Sequence, residues 1–333
     1  MSQLVFQGES FLVNEQETVL ECLLRHGVTI PNSCRSGICQ SCLMRATSGS
    51  PGTSSQKALK SAWCEQGYFL ACSCVPDGDL ELAMPDEVDV SQFSATIVSI
   101  SNLNEQIVRV LLRCDEPFEY RAGQFVNLCR EDGLQRSYSL ASVATLSDEL
   151  ELHVKKVDAG KMSGWLHDEV KAGEKVSISA PHGECYYASA ENNEQGLMLL
   201  GTGSGLAPLW GVVQDALHNQ HQGPILLFHG GSKPQDLYLV DELTALAEKN
   251  TNLRYFPCLL ESDDVVDIEK FHFGSIEETA LNEQADLAAW SVFLCGNPAM
   301  VNTAKRRVYL AGASLENIHS DPFITQADKS ILF

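Results

Sequence analysis

The sequence predicts a multidomain protein of combined α+β and α/β class: a small cysteine-rich block, an antiparallel β-barrel and a doubly wound α/β domain. Three observations predict it. Seven of the 12 cysteines, at positions 22, 34, 39, 42, 64, 72 and 74, crowd into a first block of residues 1–88. Residues 92–190 then carry short alternating runs separated by glycine-centred turns, the period-2 pattern of half-buried antiparallel strands. From 195 to 333 the rhythm becomes apolar strand, loop and helix in repetition, as in a parallel sheet with crossover helices.

Bulk properties narrow the function classes. A length of 333 residues suits two or three domains, and 44% hydrophobic with 20% charged residues is ordinary for a globular chain. No run of about 18 apolar residues occurs, so no membrane span is expected. The start, Met1 to Ser10, lacks a basic, apolar leader, and a cytoplasmic location is the expectation. A net charge of −21 argues against nucleic acid, whose phosphates would be repelled, and suits a partner with a basic docking patch or simply a solvated acidic surface. Cysteines in a reducing compartment are thiols or metal ligands, not disulfides.

Within the first block, Thr18 and Glu21 form a capping box, Leu20, Leu23 and Leu24 share one helical face, and Gly27 ends the helix. The acidic stretch Met84–Val90, with Pro85, reads as a linker. In the second block, Thr96–Ile100, Ile107–Leu111 and Leu150–Val154 are the clearest strands. In the third, strands are expected at Leu197–Leu200, Ile225–Phe228, Leu253–Pro257 and Ser291–Leu294, with a last helix capped by Asn297, opened by Pro298 and closed by Gly312.

The segment Cys34-x4-Cys39-x2-Cys42, followed after 29 intervening residues by Cys72, provides four soft thiolate donors, enough for two iron ions. Ser36 and Gly37 let the loop fold tightly and turn backbone N–H groups toward sulfur. A zinc site is the alternative, although only Cys39 and Cys42 have the short knuckle spacing zinc prefers. Cys74 competes with Cys72 for the fourth position, while Cys22 and Cys64 read as small core residues. These residues, with the helix before them, resemble the plant-type 2Fe–2S ferredoxin, a β-grasp fold. The likeness of Phe69-Leu-Ala-Cys72 to that family's fourth-ligand segment favours Cys72 as the metal ligand.

Arg136-Ser-Tyr138-Ser139 matches the R-x-Y-S motif of the ferredoxin–NADP reductase superfamily. An arginine grips pyrophosphate in a bidentate way, a tyrosine packs on a flavin, and a serine hydrogen-bonds near its N5 atom. The resemblance extends to His153-Val154-Lys155, a strand whose backbone faces the flavin ring, and to Gly160-Lys-Met162-Ser163, a turn whose amides hold phosphate. Pro181-His-Gly183 resembles the barrel-closing turn. Two phosphate-binding places imply FAD over FMN.

Gly201-Thr202-Gly203-Ser-Gly205-Leu-Ala-Pro208 follows an apolar strand and opens a helix, so its amides suit the phosphates of a dinucleotide. Cys295-Gly296-Asn-Pro298 resembles the superfamily's second nicotinamide signature, in which the cysteine approaches the C4 atom. No acid follows the second strand at His229-Gly-Gly-Ser232-Lys233 to read an adenosine ribose, and Lys233 is a candidate for a 2′-phosphate. NADH is nevertheless favoured by the resemblance, with NADPH the alternative. Phe323, after Ile318–Asp321, is expected either to stack on the flavin or to lie in the core. The remaining histidines, His218 and His221 among them, read as surface residues.

The order of ferredoxin, flavin and nucleotide blocks resembles the NAD(P)H-dependent reductase components of bacterial multicomponent mono- and dioxygenases. That resemblance implies an oxidoreductase in which Ser139, Thr202 and Cys295 position the reacting centres. Its partner would be an electron-acceptor protein, an oxygenase or its ferredoxin. Rival expectations are a reductase for a deoxysugar-type dehydration or deoxygenation enzyme, and a non-enzymatic redox-sensing or interaction protein.

Overall fold

The computed structural model describes residues 2–32, 35, 42–57, 59, 61–85, 92–188, 193–260 and 268–323. Cys34, Ser36, Gly37 and Cys39, most of the proposed linker and the last ten residues lie outside these. The chain divides into two compact units, Met1–Asp89 and Val90–Phe333.

The first unit contains β1 (Gln3–Phe6), β2 (Glu9–Leu12), α1 (Val19–Arg25), β3 (Leu43–Ser48), α2 (Ser61–Glu65), β4 (Tyr68–Leu70) and β5 (Leu80–Ala83). Its five-stranded sheet runs β2-β1-β5-β3-β4, with β1 and β5 parallel and the other pairs antiparallel. Helix α1 starts where the sequence says it should. Thr18 Oγ1 accepts the Glu21 N–H at 3.2 Å, and the Glu21 carboxylate accepts the Thr18 N–H at 2.9 Å. Such a cap contributes ~1 kcal/mol. Val19, Leu20 and Leu23 then reach the core, with Leu4, Phe6, Met44 and Phe69.

The second unit opens with β6 (Gln92–Asn102), β7 (Ile107–Cys114), β8 (Phe125–Cys129), β9 (Gln135–Ser139), β10 (Leu150–Lys155), α3 (Lys161–Asp168) and β11 (Lys175–Ser179). The antiparallel order is β10-β7-β6-β11-β8-β9, and a bridge between Leu140 and Leu152 brings the two edges together into a barrel. Alternation on β10 decides what goes where. Leu150, Leu152 and Val154 fill the barrel, while Glu151 and His153 point away from it. His182 bridges Phe125, so the Pro181–Gly183 segment does join the barrel.

The unit continues with β12 (Gly196–Thr202), α4 (Leu206–His218), β13 (Ile225–Gly231), α5 (Val240–Lys249), β14 (Leu253–Leu259), β15 (His272–Phe273), α6 (Ile276–Glu283), β16 (Trp290–Gly296), α7 (Pro298–Leu310) and β17 (Ile318–Pro322). All neighbours in the order β15-β14-β13-β12-β16-β17 are parallel. Each expected strand is present and longer than its apolar run. Both faces are covered, which is why these strands are apolar throughout. Leu197, Leu199, Ile225 and Leu227 meet α4 and α5 on one side. Met198, Leu200, Leu226 and Phe228 meet α6 and α7 on the other. The chain leaves β12 in one direction to β13 and fills the other side later with β16, so a crevice opens at the carboxyl ends of β12 and β16. Asn297 caps α7 through the N–H groups of Ala299 and Met300.

Candidate redox site

Among the described cysteines of the first unit, Cys42 and Cys72 come together. Cys42 directly precedes β3 and Cys72 lies in a tight turn after β4, the two segments joined by the Ala71 N–H bonding the Cys42 carbonyl at 3.0 Å. Their side chains hydrogen-bond to each other. Cys74 does not share in this. Its thiol is fully buried and donates to the Pro51 carbonyl at 3.2 Å, and burial pushes it up to about 12. Converging soft donors at Cys42 and Cys72 fit an iron–sulfur cluster, and a hydrogen-bonded core thiol at Cys74 does not.

In the second unit β9 turns Ser137 and Ser139 to one side and Arg136 and Tyr138 to the other. The Tyr138 phenol is raised above its ordinary range by burial. Arg136 has no carboxylate partner among the described residues, so its guanidinium is available to an anion. The turn before α3 shows why the G-x-x-S pattern is needed. Ser163 Oγ accepts the Val157 N–H at 3.1 Å and donates to the Gly160 carbonyl at 3.4 Å, so its hydroxyl holds the turn. A Cβ on Gly160 would collide with that same oxygen. The Met162 side chain is in the barrel core, leaving only its backbone to face a phosphate. Val154 is likewise a core side chain, and Lys155 is exposed.

At the crevice the two glycine signatures lie against one another. A Cβ on Gly205 would fall on the Cys295 carbonyl, and one on Gly296, whose φ is +114°, on the Thr202 carbonyl. A Cβ on Gly201 would meet Leu209 at 2.7 Å. Gly203 differs: among the described residues a Cβ there would have only the Lys155 side chain within 4 Å, its Nζ at 3.8 Å. Three glycines permit packing and the fourth leaves a cradle open, which fits a phosphate-bearing dinucleotide. Thr202 Oγ1 accepts the Asn297 N–H at 3.1 Å and ties the loops together. Pro208 is buried in the first turn of α4. Replacing Gly205 with alanine must displace backbone, and a loss of ~3 kcal/mol in a urea melt is expected, with weaker nucleotide binding.

Cys295 is fully buried, its sulfur 3.1 Å from that of Cys185, and burial pushes its thiol well above the usual range. It pairs across the sheet with Asp321 of β17. The Asp321 carboxylate in turn accepts from Ser139 Oγ at 3.5 Å, so the end of the barrel motif meets the end of the nucleotide sheet. Burial raises the Asp321 carboxyl to about 6, with the Ser139 hydrogen bond opposing and Glu184 adding to the rise. Phe323 is half-buried, held by its N–H to the Gly296 carbonyl at 2.8 Å, and belongs to no core cluster.

One expectation is corrected. His221 is 4% exposed and takes part in a contact with Tyr187, so it is not a surface residue; His229, at the end of β13, is wholly buried beside Tyr238 and Tyr255. His218 is exposed. The side chain of His153 also turns away from the barrel interior to Glu151 and Tyr238. Asp321 lies in the Ile318–Phe323 stretch that the resemblance brings toward the flavin, but its contact with Ser139 is not visible in the sequence.

Three family models match the chain, one after another. The 2Fe-2S iron-sulfur cluster binding domain matches residues 5–77, the oxidoreductase FAD-binding domain 94–187 and the oxidoreductase NAD-binding domain 199–306. The chain is 32% identical over 317 residues to the reductase subunit of an aromatic O-demethylase from Amycolatopsis, covering 92% of this chain and 94% of that one. It is 30% identical over 310 residues to the reductase component of the naphthalene 1,2-dioxygenase system of Pseudomonas putida, covering 92% and 93%. The crystal structure of a cytochrome P450 reductase from Amycolatopsis superposes with a TM-score of 0.68 at 30% identity, over 97% of this chain and 99% of that one. No described helix is long and apolar enough to cross a membrane. The chain thus belongs to the NAD(P)H-dependent iron–sulfur flavoprotein reductases, the family of the reductase components of bacterial multicomponent oxygenases.

Proposed function

We propose that this chain draws hydride from NADH at the β12/β16 crevice and delivers single electrons through its cluster to an oxygenase component or that component's ferredoxin. The carrying observation is the meeting of Ser139, Asp321 and Cys295, which unites the flavin motif with the nicotinamide motif. We assign the ferredoxin block to 1–88, the FAD block to 92–190 and the nucleotide block to 195–333. Cys34, Cys39, Cys42 and Cys72 are assigned as the cluster ligands, with the approach of Cys42 to Cys72 and the commitment of Cys74 to Pro51 as support.

Bound FAD and the 2Fe–2S cluster supply the conversion of one two-electron donor into two one-electron deliveries. The chain's own residues place and tune them. Arg136 and the amides of the 160–163 turn would hold the FAD phosphates, with Tyr138 and the β10 backbone at His153–Lys155 available to its ring system. Gly201, Thr202, Gly203, Gly205 and Pro208 would shape the dinucleotide loop, Cys295 and Gly296 would receive the nicotinamide, and Phe323 would be the aromatic neighbour of the flavin. A hydride carries a proton that one-electron carriers cannot take. Ser139 and Asp321, in hydrogen-bond contact with one another, would take up that proton, with the Asp321 carboxyl, raised to about 6 by burial, as its holder.

NADH over NADPH is supported by the 232–236 turn. The Asp236 carboxylate accepts the N–H groups of Ser232 at 3.0 Å and Lys233 at 2.9 Å, occupying donors that a 2′-phosphate would need. Comparing kcat/KM should favour NADH by at least ~10-fold, a difference of about 1.4 kcal/mol; equal values would reject the assignment. For the relay, Cys39→Ser should spare NADH–ferricyanide reduction and remove most cytochrome c reduction. Equal loss of both would count against the cluster as the exit. Acceptance of electrons by a purified oxygenase component, and its absence with unrelated ferredoxin-dependent enzymes, tests the partner.

A further inference from the structure

We propose that His153 and Tyr238 are positioning residues: the hydrogen-bond chain Arg109–Glu151–His153–Tyr238 latches the barrel to the nucleotide domain and sets how nicotinamide meets flavin. This rests on the reading of the second unit above and adds a device that the reading does not require.

The chain has one direction. Arg109 Nε donates to Glu151 Oε1 at 2.7 Å, and His153 Nε2 lies 2.8 Å from the same oxygen. Arginine is a donor only and an ionised carboxylate an acceptor only, so Nε2 carries the hydrogen. Burial opposes ionisation of Glu151, but its contacts with His153 and Arg109 outweigh it and hold the carboxyl below its usual value. Burial also lowers the pKa of His153 and keeps it neutral, although Glu151 pulls the other way. Neutral imidazole with Nε2–H leaves Nδ1 as an acceptor, and Tyr238 OH, 3.1 Å away, is its donor. The rings meet edge to face at 5.3 Å, and His229 packs against Tyr238 in the same manner at 5.5 Å.

Its place gives it a role. Arg109, Glu151 and His153 sit on the outer side of β7 and β10, whereas Tyr238 leads into α5 of the nucleotide domain. The next residue, Leu239, is buried yet has φ +55°, a conformation a leucine adopts only where its surroundings demand it. A second barrel group joins the same segment: Asn104 Nδ2 donates to the Gln235 carbonyl at 3.1 Å. Two residues beyond His153 on the same strand, Lys155 reaches the open side of Gly203. Apolar residues would seat the two domains at least as stably. A buried polar chain permits one seat and penalises the others, where its groups lose their partners.

The test is anaerobic stopped-flow reduction of the FAD-loaded protein by NADH. Tyr238→Phe removes one hydroxyl. Its limiting reduction rate is expected to fall ~10-fold and its isotope effect with 4-deuterated NADH to rise, because hydride transfer is sensitive to misplacement of about 1 Å. NADH Kd should stay within about twofold and the melting temperature within about two degrees, which a merely structural role would not produce. Glu151→Gln should slow reduction in the same direction, and the double variant should be no slower than the worse single one, since both break one chain.

A separate readout needs no turnover. In the 15N spectrum of histidine-labelled apoprotein, His153 should be the neutral Nε2–H tautomer from pH 6 to 8, with an Nδ1 signal that moves in Tyr238→Phe. An unchanged reduction rate and isotope effect in Tyr238→Phe, additive losses in the double variant, or a protonated Nδ1 would overturn the latch. A wild-type flavin that neither NADH nor NADPH reduces would overturn the proposed function instead, leaving the spectrum to judge the hydrogen-bond chain alone.

Discussion

Replacing Cys72 with serine should strip the cluster from the protein, while the same change at Cys74 should leave it bound. The two positions are separated by a single residue, Ser73, yet their surroundings differ in kind. Cys72 is half-buried in a turn with its side chain against Cys42, where a metal can draw both sulfurs together. Cys74 is sealed in the core and already bonded to Pro51. A serine at 72 replaces a soft thiolate with a hard, weakly acidic hydroxyl that iron–sulfur chemistry disfavours. Iron content should fall from about two per chain toward zero, and cytochrome c reduction by ~100-fold or more, since single-electron exit would lose its carrier. Reduction of ferricyanide, which takes electrons at the flavin, should stay within ~3-fold. Cys74→Ser should keep its iron and its cytochrome c activity and lose ~1–2 kcal/mol of stability from the buried hydroxyl. Iron lost from the serine-74 protein and kept in the serine-72 protein would reverse the assignment.

Much of this was readable from the sequence because the signals were local. The Thr18–Glu21 capping box, the Asn297–Pro298 start and the four apolar strands each depend on residues a few positions apart, and each is present as expected. The glycine signatures were also legible, although the physical reason differs from position to position. Gly205 and Gly296 are small so that two loops can touch, whereas a Cβ on Gly203 would meet no backbone within 4 Å and only the Lys155 side chain.

What escaped the sequence reading depends on contacts between distant segments. Ser139 and Asp321 are 182 positions apart, and nothing near Asp321 indicates a buried carboxyl. The outward turn of His153 follows from strand alternation on β10, but its partner Tyr238 lies in another domain, 85 positions on. His221 was read as exposed because no motif surrounds it; its contact with the Tyr187 hydroxyl gives the ring a partner in the interior. Pairwise chemistry of this kind has no period to detect.

The second large effect is expected at Asp321, where function and stability should move in opposite directions. Its carboxyl titrates at about 6 in the folded protein, chiefly because burial disfavours the charge, against an ordinary value near 3.8. A raised acid holds its proton longer when folded than when unfolded. Its contribution to stability is therefore complete below about pH 4, is lost as pH rises through 6, and stays lost above that. Two units correspond to at most ~3 kcal/mol at pH 8. Asp321→Asn carries no charge to bury, so it should melt higher than the wild type at pH 8, by several degrees, with the difference vanishing near pH 4. Activity should go the other way. The amide can still bond the Ser139 hydroxyl but cannot take up the proton left behind when electrons depart singly, so steady-state cytochrome c reduction should fall by ~100-fold. The wild-type rate should rise through pH 6 as the carboxyl ionises, and this limb should be missing from the variant. The limiting rate of flavin reduction by NADH should fall no more than ~3-fold, because hydride arrives without needing that acceptor. A variant that melts higher at pH 8 yet keeps its turnover and its pH profile would show that the charge is buried there without serving the proton. Loss of the stability gain alone would mean instead that Asp321 is hydrated in solution, and its pH limb would then lie closer to 4 than to 6.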